Sequence, residues 1–511
     1  MNAAEHLLGE TALARHGERL ALLCGDEAFT YAELADSVRR AAAALHSLGV
    51  QPGDRVLLLM RDTPEFAAAW LGAVRAGAVV VALNSRLSEA EYRHVLRDSA
   101  ARFAIVEDVF AGGAPGLAAE LARENRIAVA GAAPAGMPSW RSRTRTPQPA
   151  AAAAFDAGPD STALCLYSSG TTGRPKGIPY SHRAVLSVGQ TFRELGIGEG
   201  DRVFTTSKFF FAYGLEHGLL APLAMGATSI LCADWPDTES VIGIVDRHRP
   251  TAMFSVPTIY RRLLAEPPAR LESFRPLRRF VAGGERLSPQ LVRQWKRAVG
   301  GEILNLYGMS ETFCACMITP PGSSDGERTG KPMALTEVEL RDERGSEPPR
   351  GAPGVLWVRH PAMARGYLNL PEQTREQFRD GWFCSRDMFI RDEAGFFVHQ
   401  GRSDELLKVA GHWVRPGELE EAAALEADVA EAACVPVLDA DGLQRLALFV
   451  TARGDATQAE LAAAAACERA LPRFKRPKWI RAIAELPRTA TGKVQRFKLR
   501  EMLEREFSRK D

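Results

Sequence analysis

Leu34, Val38, Ala41, Leu45 and Leu48 return to one face at helical spacing. Thr30 and Glu33 stand ahead of them as a capping-box pair and Gly49 ends the run, so a helix is predicted here. GVQPGDRVLLLM then reads as a turn followed by a buried strand. A helix around 65–76, a strand at AVVVAL and a helix from Ser88 come next. Apolar strands that alternate with amphipathic helices predict an α/β domain built on mostly parallel, doubly wound sheets. Residues 131–158, rich in Ala, Pro, Gly and Arg, read as a surface connection without an element of its own. The alternation resumes to about 320.

From 328 to 400 the pattern changes to short strands between Gly and Pro turns: GVLWVRH, GWFCSRDMFI, GFFVHQ. This predicts a β-rich subdomain. After GRSDELLKV the chain resets into a small α+β unit, with a helix near 416–427, strands at ACVPV and ALFVTA, and a helix near 457–471. The expected domains are therefore 1–402 and 403–511. A length of 511 residues agrees with more than one core.

Composition narrows the function classes. Lys+Arg 64 against Asp+Glu 63 leaves a net charge of +1, which offers no electrostatic footprint for nucleic acid or a membrane surface. No run of about 18 apolar residues is present and the first residues lack a basic, then apolar leader, so a cytoplasmic protein without stable membrane insertion is expected. Eight scattered cysteines suit a reducing compartment. Cys314 and Cys316 form a CxC with no second pair nearby and read as two buried thiols. Oligomeric state leaves no mark, since no heptads stand out.

Candidate chemistry begins at LYSSGTTGRPKGIPYSH, residues 166–182. An apolar strand ends there in a loop whose glycines let several backbone N–H groups turn to one side. The hydroxyls of Ser168, Ser169, Thr171 and Thr172 add donors, a composition suited to phosphate oxygens. It is not a Walker loop: Pro175 precedes Lys176 and no Ser or Thr follows it.

YSSGTTGRPKG closely resembles the signature loop of the adenylate-forming superfamily, which includes acyl- and aryl-CoA synthetases, luciferases and peptide-synthetase adenylation domains. Further motifs follow in the family's order over nearly the whole chain. NLYGMSET (305–312) resembles the YGxTE motif. The resemblance assigns Asn305, Tyr307, Gly308 and Ser310 to the nucleotide, with Tyr307 stacked on adenine, and Glu311 to Mg²⁺ beside the triphosphate. VAGGERLS is similar to the segment lining the adenine and acyl pocket, which implicates Gly283, Gly284 and Glu285. GWFCSRD resembles GWxxTGD and gives Asp387 the ribose, although Ser385 and Arg386 stand where Thr and Gly are usual. GRSDELLKVAGHWVRPGELE resembles the hinge region and implies Arg402 on ribose or phosphate, Asp404 as hinge and Gly411 beside the coenzyme A arm. PRTATGKVQRFKLR resembles the last motif and makes Lys493 the adenylation lysine.

The resemblance implies two half-reactions: a carboxylate attacks the α-phosphorus of MgATP, then the thiol of coenzyme A attacks the acyl adenylate and AMP leaves. Ser168, Ser169, Gly170, Thr171, Thr172 and Lys176 would hold the departing phosphates, with Glu311 and Lys493 as the catalytic pair. The small C-terminal domain is expected to be mobile, turning about Asp404 between the two steps.

SKFFFAYGLEHGLLAPLAMGAT resembles KxFFAYGxGN of the benzoate-type CoA ligases, and ADWPD continues the likeness. Phe211, Ala212, Tyr213 and Gly214 would form a flat slot for a ring. Cys314 stands where those enzymes usually carry His, and Tyr307-Gly308 where Ile-Gly is frequent. A small aromatic carboxylic acid is the first expectation. A short, branched or cyclic non-aromatic acid is the alternative, as is a stand-alone adenylation enzyme loading a carrier protein. Coenzyme A is the simpler acceptor because no carrier-like extension follows Asp511.

Overall fold

The computed structural model describes residues 2–111, 115–134, 136–145, 153–169, 175–403, 407–409, 412–414, 416–439, 443–488 and 494–507. The chain divides into two compact units: Met1–Glu339 with Trp357–Ser385 and Asp392–Val398, and Leu340–Leu356 with Arg386–Arg391 and His399–Asp511. The division thus runs through the β-rich stretch instead of falling at one point in sequence.

The first unit carries two large sheets. In the nine-stranded sheet the central strands Ile303–Tyr307, Arg279–Gly283, Ala252–Ser255, Arg202–Thr205, Thr228–Ile230 and Leu20–Cys24 run parallel. Antiparallel partners close its two edges. The six-stranded sheet orders Ile127–Ala130, Phe103–Glu107, Arg55–Leu59, Val79–Ala82, Thr162–Ser169 and Pro175–Ser181, parallel but for its last pair. These are the mostly parallel, helix-covered sheets that the alternation predicts. Parallel strands need a covering helix on each face, so they read as unbroken apolar runs such as VLLL and VVVA.

The helix Tyr31–Ser47 begins at the capping box of Thr30 and Glu33 and buries Leu34, Val38, Ala41 and Leu45. It packs on Pro64–Arg75, whose residues are almost all buried. Gly72 makes that approach possible: a Cβ there would lie 2.6 Å from the Cβ of Ala41. One prediction needs correcting. Within the supposed surface connection, Trp140–Arg145 is a helix, and Trp140 is 1% exposed in the main core. Ser139 caps its first turn through Ser142 N–H at 3.2 Å. One anchoring indole outweighs a loop-like composition around it.

In the second unit Val429–Leu438 pairs antiparallel with Gln444–Ala452, which pairs parallel with Trp479–Ala482. Side chains alternate between two cores. Cys434, Leu446, Leu448 and Val450 face the helices Pro416–Ala424 and Ala456–Ala470, while Ala433, Val435, Ala447 and Phe449 face Leu499 and Leu503 of Arg496–Phe507. This is a small α+β unit of the kind expected at the C-terminal end of the chain. Among the described residues no helix is long and apolar enough to cross a membrane.

Candidate active site

The strand Thr162–Ser169 ends at the glycine loop, and its partner Pro175–Ser181 returns from it with Ser168 opposite Lys176. Ser168 Oγ is buried and has no hydrogen-bond partner among the described residues. A hydroxyl orphaned at the foot of this loop suits a phosphate oxygen, because a buried donor without an acceptor costs about 1–3 kcal/mol. Lys176 Nζ lies 4.2 Å over the ring of Tyr367 and 3.9 Å from Glu311 Oε1. Tyr367 donates its hydroxyl to the same Glu311 oxygen at 2.7 Å. Loop-end hydroxyl, lysine and carboxylate therefore converge where the family motifs meet. Tyr367, the residue that holds Glu311 in place, escaped the sequence reading because ARGYLN carries no motif of its own.

Among the described residues no cluster of three or more His, Cys, Asp or Glu side chains is placed to hold a metal ion. Glu311 nevertheless fits magnesium. This ion takes one or two carboxylates and fills its shell with phosphate oxygens and water. One Glu311 oxygen is engaged by Tyr367, and the carboxylate is partly exposed, with 14% of the side chain accessible.

Tyr307 and Gly308 follow from the strand Ile303–Tyr307. A Cβ on Gly308 would lie 3.0 Å from Ala315 Cα, so a larger residue here would have to push the Ala315 backbone back by a few tenths of an ångström. Ser310 offers its carbonyl to the buried Tyr180 hydroxyl. Asn305 Nδ2 donates to the Arg328 carbonyl at 3.4 Å. Gly284 has φ +78°, a conformation that suits glycine. Glu285 accepts from Thr258 N–H at 3.1 Å and from its hydroxyl at 2.7 Å, and so caps the helix Pro257–Leu263. Between Glu311 and Cys314 lies a feature that no local pattern announces. Phe313, buried at 2% exposure, holds φ 60° and ψ −60°, and Cys314 N–H donates to the Thr312 carbonyl at 2.7 Å. This is the rare, strained form of γ-turn, sited between the metal-binding candidate Glu311 and the acyl-pocket candidate Cys314.

The residues expected to form the acyl slot lie on and beside the short helix Ala212–Leu215. Tyr213 donates to the Ser255 carbonyl at 3.1 Å, which fixes its ring against Gly283. A Cβ on Gly283 would meet that ring at 3.2 Å. Phe211 packs on Phe210 with centroids 4.5 Å apart. Gly214 serves a close backbone contact: a Cβ there would fall 2.3 Å from the Lys208 carbonyl oxygen. Cys314 is buried as expected, and its thiol lies against the carboxyl of Glu216, which helps burial to hold the thiol well above its usual pKa.

Glu216 and His217 replace the Gly-Asn of the family segment, a departure that the flanking motif hides. They open a turn of π-helix, Glu216–Leu220, a distortion that recurs at functional positions. Burial pushes Glu216 up to about 8, against the opposing hydrogen bonds of Cys314 and Ala315. Burial pulls His217 down to about 4. Their 3.6 Å contact therefore joins two neutral groups at pH 7. His217 Nδ1 lies 3.0 Å from the Tyr213 carbonyl, an acceptor only, so the proton sits on Nδ1. Nε2 then accepts from Thr191 Oγ1 at 3.2 Å.

In the second unit Asp387 Oδ1 lies 3.6 Å from Arg402 Nη1 and 3.8 Å from His399 Nε2. The motif's two candidate ribose ligands thus face each other. Arg386, where the family has glycine, adopts φ 61° and so keeps the glycine conformation with a side chain attached. For an L-residue this costs roughly 1–2 kcal/mol. Arg386→Gly is expected to raise unfolding stability by up to about 1 kcal/mol, part of the relief being lost to the freer unfolded chain, with ATP affinity retained. A lowered thermal midpoint would show that contacts of the arginine side chain outweigh the backbone strain. Gly170, Thr171, Thr172, Asp404, Gly411 and Lys493 lie outside the described residues, as does the side chain of Ser169.

Comparison with known proteins follows the same lines. A family model described as AMP-binding enzyme matches residues 9–368, and one described as AMP-binding enzyme C-terminal domain matches 418–493. The chain is 41% identical to the 3-hydroxybenzoate–CoA ligase of Aromatoleum sp. (strain CIB), over 98% of this chain and 97% of that protein. Its fold matches the crystal structure of a benzoate CoA ligase from Burkholderia xenovorans LB400 with a TM-score of 0.87 and 34% identity, covering 98% of this chain and 100% of that one. It matches the anthranilate CoA ligase AuaEII in complex with anthranoyl-AMP with a TM-score of 0.88 and 31% identity, covering 98% and 97%.

Proposed function

This chain belongs to the AMP-binding enzyme family, and on that premise we propose that it joins a small aromatic carboxylic acid of the benzoate type to coenzyme A by way of an acyl adenylate. What supports the substrate class is the Tyr213 ring packed against Gly283, a glycine that leaves it no side chain to avoid, beside the residues proposed to form a flat slot. A planar ring fits between such faces, and a branched acyl chain uses them poorly. The acids of the relatives, benzoate, 3-hydroxybenzoate and anthranilate, share that planar ring.

The chemistry asks for positioning and charge stabilisation. The carboxylate oxygen bonds to the α-phosphorus as pyrophosphate leaves. The thiol sulfur then bonds to the acyl carbon as AMP leaves. Ser168 and Lys176 are proposed to meet the departing phosphates. Glu311 would hold magnesium, which when bound neutralises charge on the triphosphate. Tyr367 keeps the Glu311 carboxylate turned toward that position.

Pyrophosphate release, measured over a panel of acids with ATP and magnesium, tests the reading. Benzoate and its hydroxylated forms are expected to give release, and coenzyme A to convert the product into AMP and a thioester. Silence with every aromatic and short-chain acid would overturn it. Thioester formation on a phosphopantetheinylated carrier, with none on coenzyme A, would replace the acceptor.

A further inference from the structure

Glu216 is 1% exposed, and one of its two carboxyl oxygens is answered: Oε2 accepts from Ala315 N–H at 3.2 Å. Oε1 is buried and has no hydrogen-bond partner by distance and angle among the described residues, with the Cys314 thiol lying against the carboxyl. Its position is defined by the slot. Tyr213, whose ring lies on Gly283, precedes Glu216 by three residues and so lies on the same helical face. Ala315, which binds the other oxygen, is the residue packed against Gly308. Glu216 therefore stands in the wall where the aromatic slot, the Tyr307-Gly308 strand end and the Cys314 turn come together.

A buried carboxyl oxygen left unanswered is costly, and the cost is recovered by any ligand that answers it. Anchoring of the Ala315 N–H accounts for Oε2, and the Cys314 thiol beside the carboxyl is only a weak donor, so the carboxyl keeps capacity for a stronger partner. Resting on the aromatic-acid reading above, we propose that Glu216 is a specificity-determining residue: its Oε1 hydrogen-bonds a hydroxyl substituent on the ring of the bound acid. The neutral carboxyl at this site both donates and accepts, and a hydroxyl can reciprocate in either sense where an unsubstituted ring cannot. His217 does not compete for the substituent, because Tyr213 and Thr191 occupy both its nitrogens.

The test is kcat/KM for pyrophosphate release with benzoate, the three monohydroxybenzoates and the three aminobenzoates, in the wild type, Glu216→Leu and Glu216→Gln. The wild type is expected to prefer one hydroxybenzoate. Glu216→Leu should lower the ratio of kcat/KM for that acid to kcat/KM for benzoate by roughly 10- to 100-fold. Glu216→Gln, near-isosteric and so a guard against misfolding, should shrink the preference by about 3- to 10-fold. A preference ratio that moves in neither variant, or equal losses on all acids, overturns the proposal and leaves the aromatic-acid reading standing. Preference for an aminobenzoate overturns the hydroxyl in favour of an amine. No release with any aromatic acid removes the underlying reading and this inference together.

Discussion

Alanine at Lys493 is expected to slow adenylate formation by about 10²- to 10³-fold while leaving thioester formation from a supplied acyl adenylate within a few-fold of wild type. The first half-reaction brings a carboxylate toward the α-phosphate, anion against anion. A cation placed between them stabilises the charge that builds on the bridging oxygens, and nothing replaces it when it is removed. In the second half-reaction a thiol attacks a carbon already activated by AMP, and no such pair of anions must meet. Lys493 lies outside the described residues, so its role rests on PRTATGKV. On either side of it Arg488 and Val494 pair in an antiparallel bridge, and Gln495 N–H donates to the Pro487 carbonyl at 2.7 Å. Pyrophosphate release and single-turnover thioester formation separate the two steps. Equal loss in both would count against the assignment.

What could be read from the sequence divides by the range of the interaction responsible. The capping box of Thr30 and Glu33 acts across three residues, and the helix it starts buries the face the spacing predicts. Arg386 is visible as a departure from glycine, and the structure shows why it matters: the arginine sits at φ 61°, in the region that favours glycine. Trp140 was hidden, because composition averages over a window while a core anchor is one side chain. The strained turn at Phe313 was equally hidden, since a buried aromatic is the residue type least suited to a positive φ. Glu216 stood in plain view inside a quoted motif. Its meaning depends on Ala315, 99 residues away in sequence, and on an oxygen without a hydrogen-bond partner among the described residues, neither of which a local pattern encodes.

Lys208→Met is expected to lower unfolding stability by about 3–5 kcal/mol, read as a fall in the denaturation midpoint. Lys208 and Asp62 are each 5% exposed, with Nζ and Oδ2 2.9 Å apart. The ammonium also donates to the carbonyls of Cys232, Ala233 and Asp234 at 2.7, 3.0 and 3.2 Å, and Asp62 accepts from Phe209 N–H at 3.2 Å. One buried cation thus ties three loops together at the start of the FFFAYG segment. Burial pushes Asp62 up to about 6 even though Lys208 pulls it down. A carboxyl raised in the folded state contributes stability below its ordinary pKa and loses it as pH climbs through the folded value. Without Lys208 the carboxyl rises further, so the deficit of the variant should widen as pH passes 6 and narrow in acid, where Asp62 is protonated in both proteins. Adding Asp62→Asn removes the stranded charge and keeps an acceptor for Phe209, so the double variant should regain roughly half of the loss; the three carbonyls stay unanswered. A deficit that ignores pH, or a double variant no more stable than Lys208→Met, would mean that the lysine acts through those carbonyls alone. Because Phe209 leads directly into Phe210 and Phe211, the same substitution should raise KM for the acid more than it lowers kcat, a split that links the buried pair to the shape of the slot.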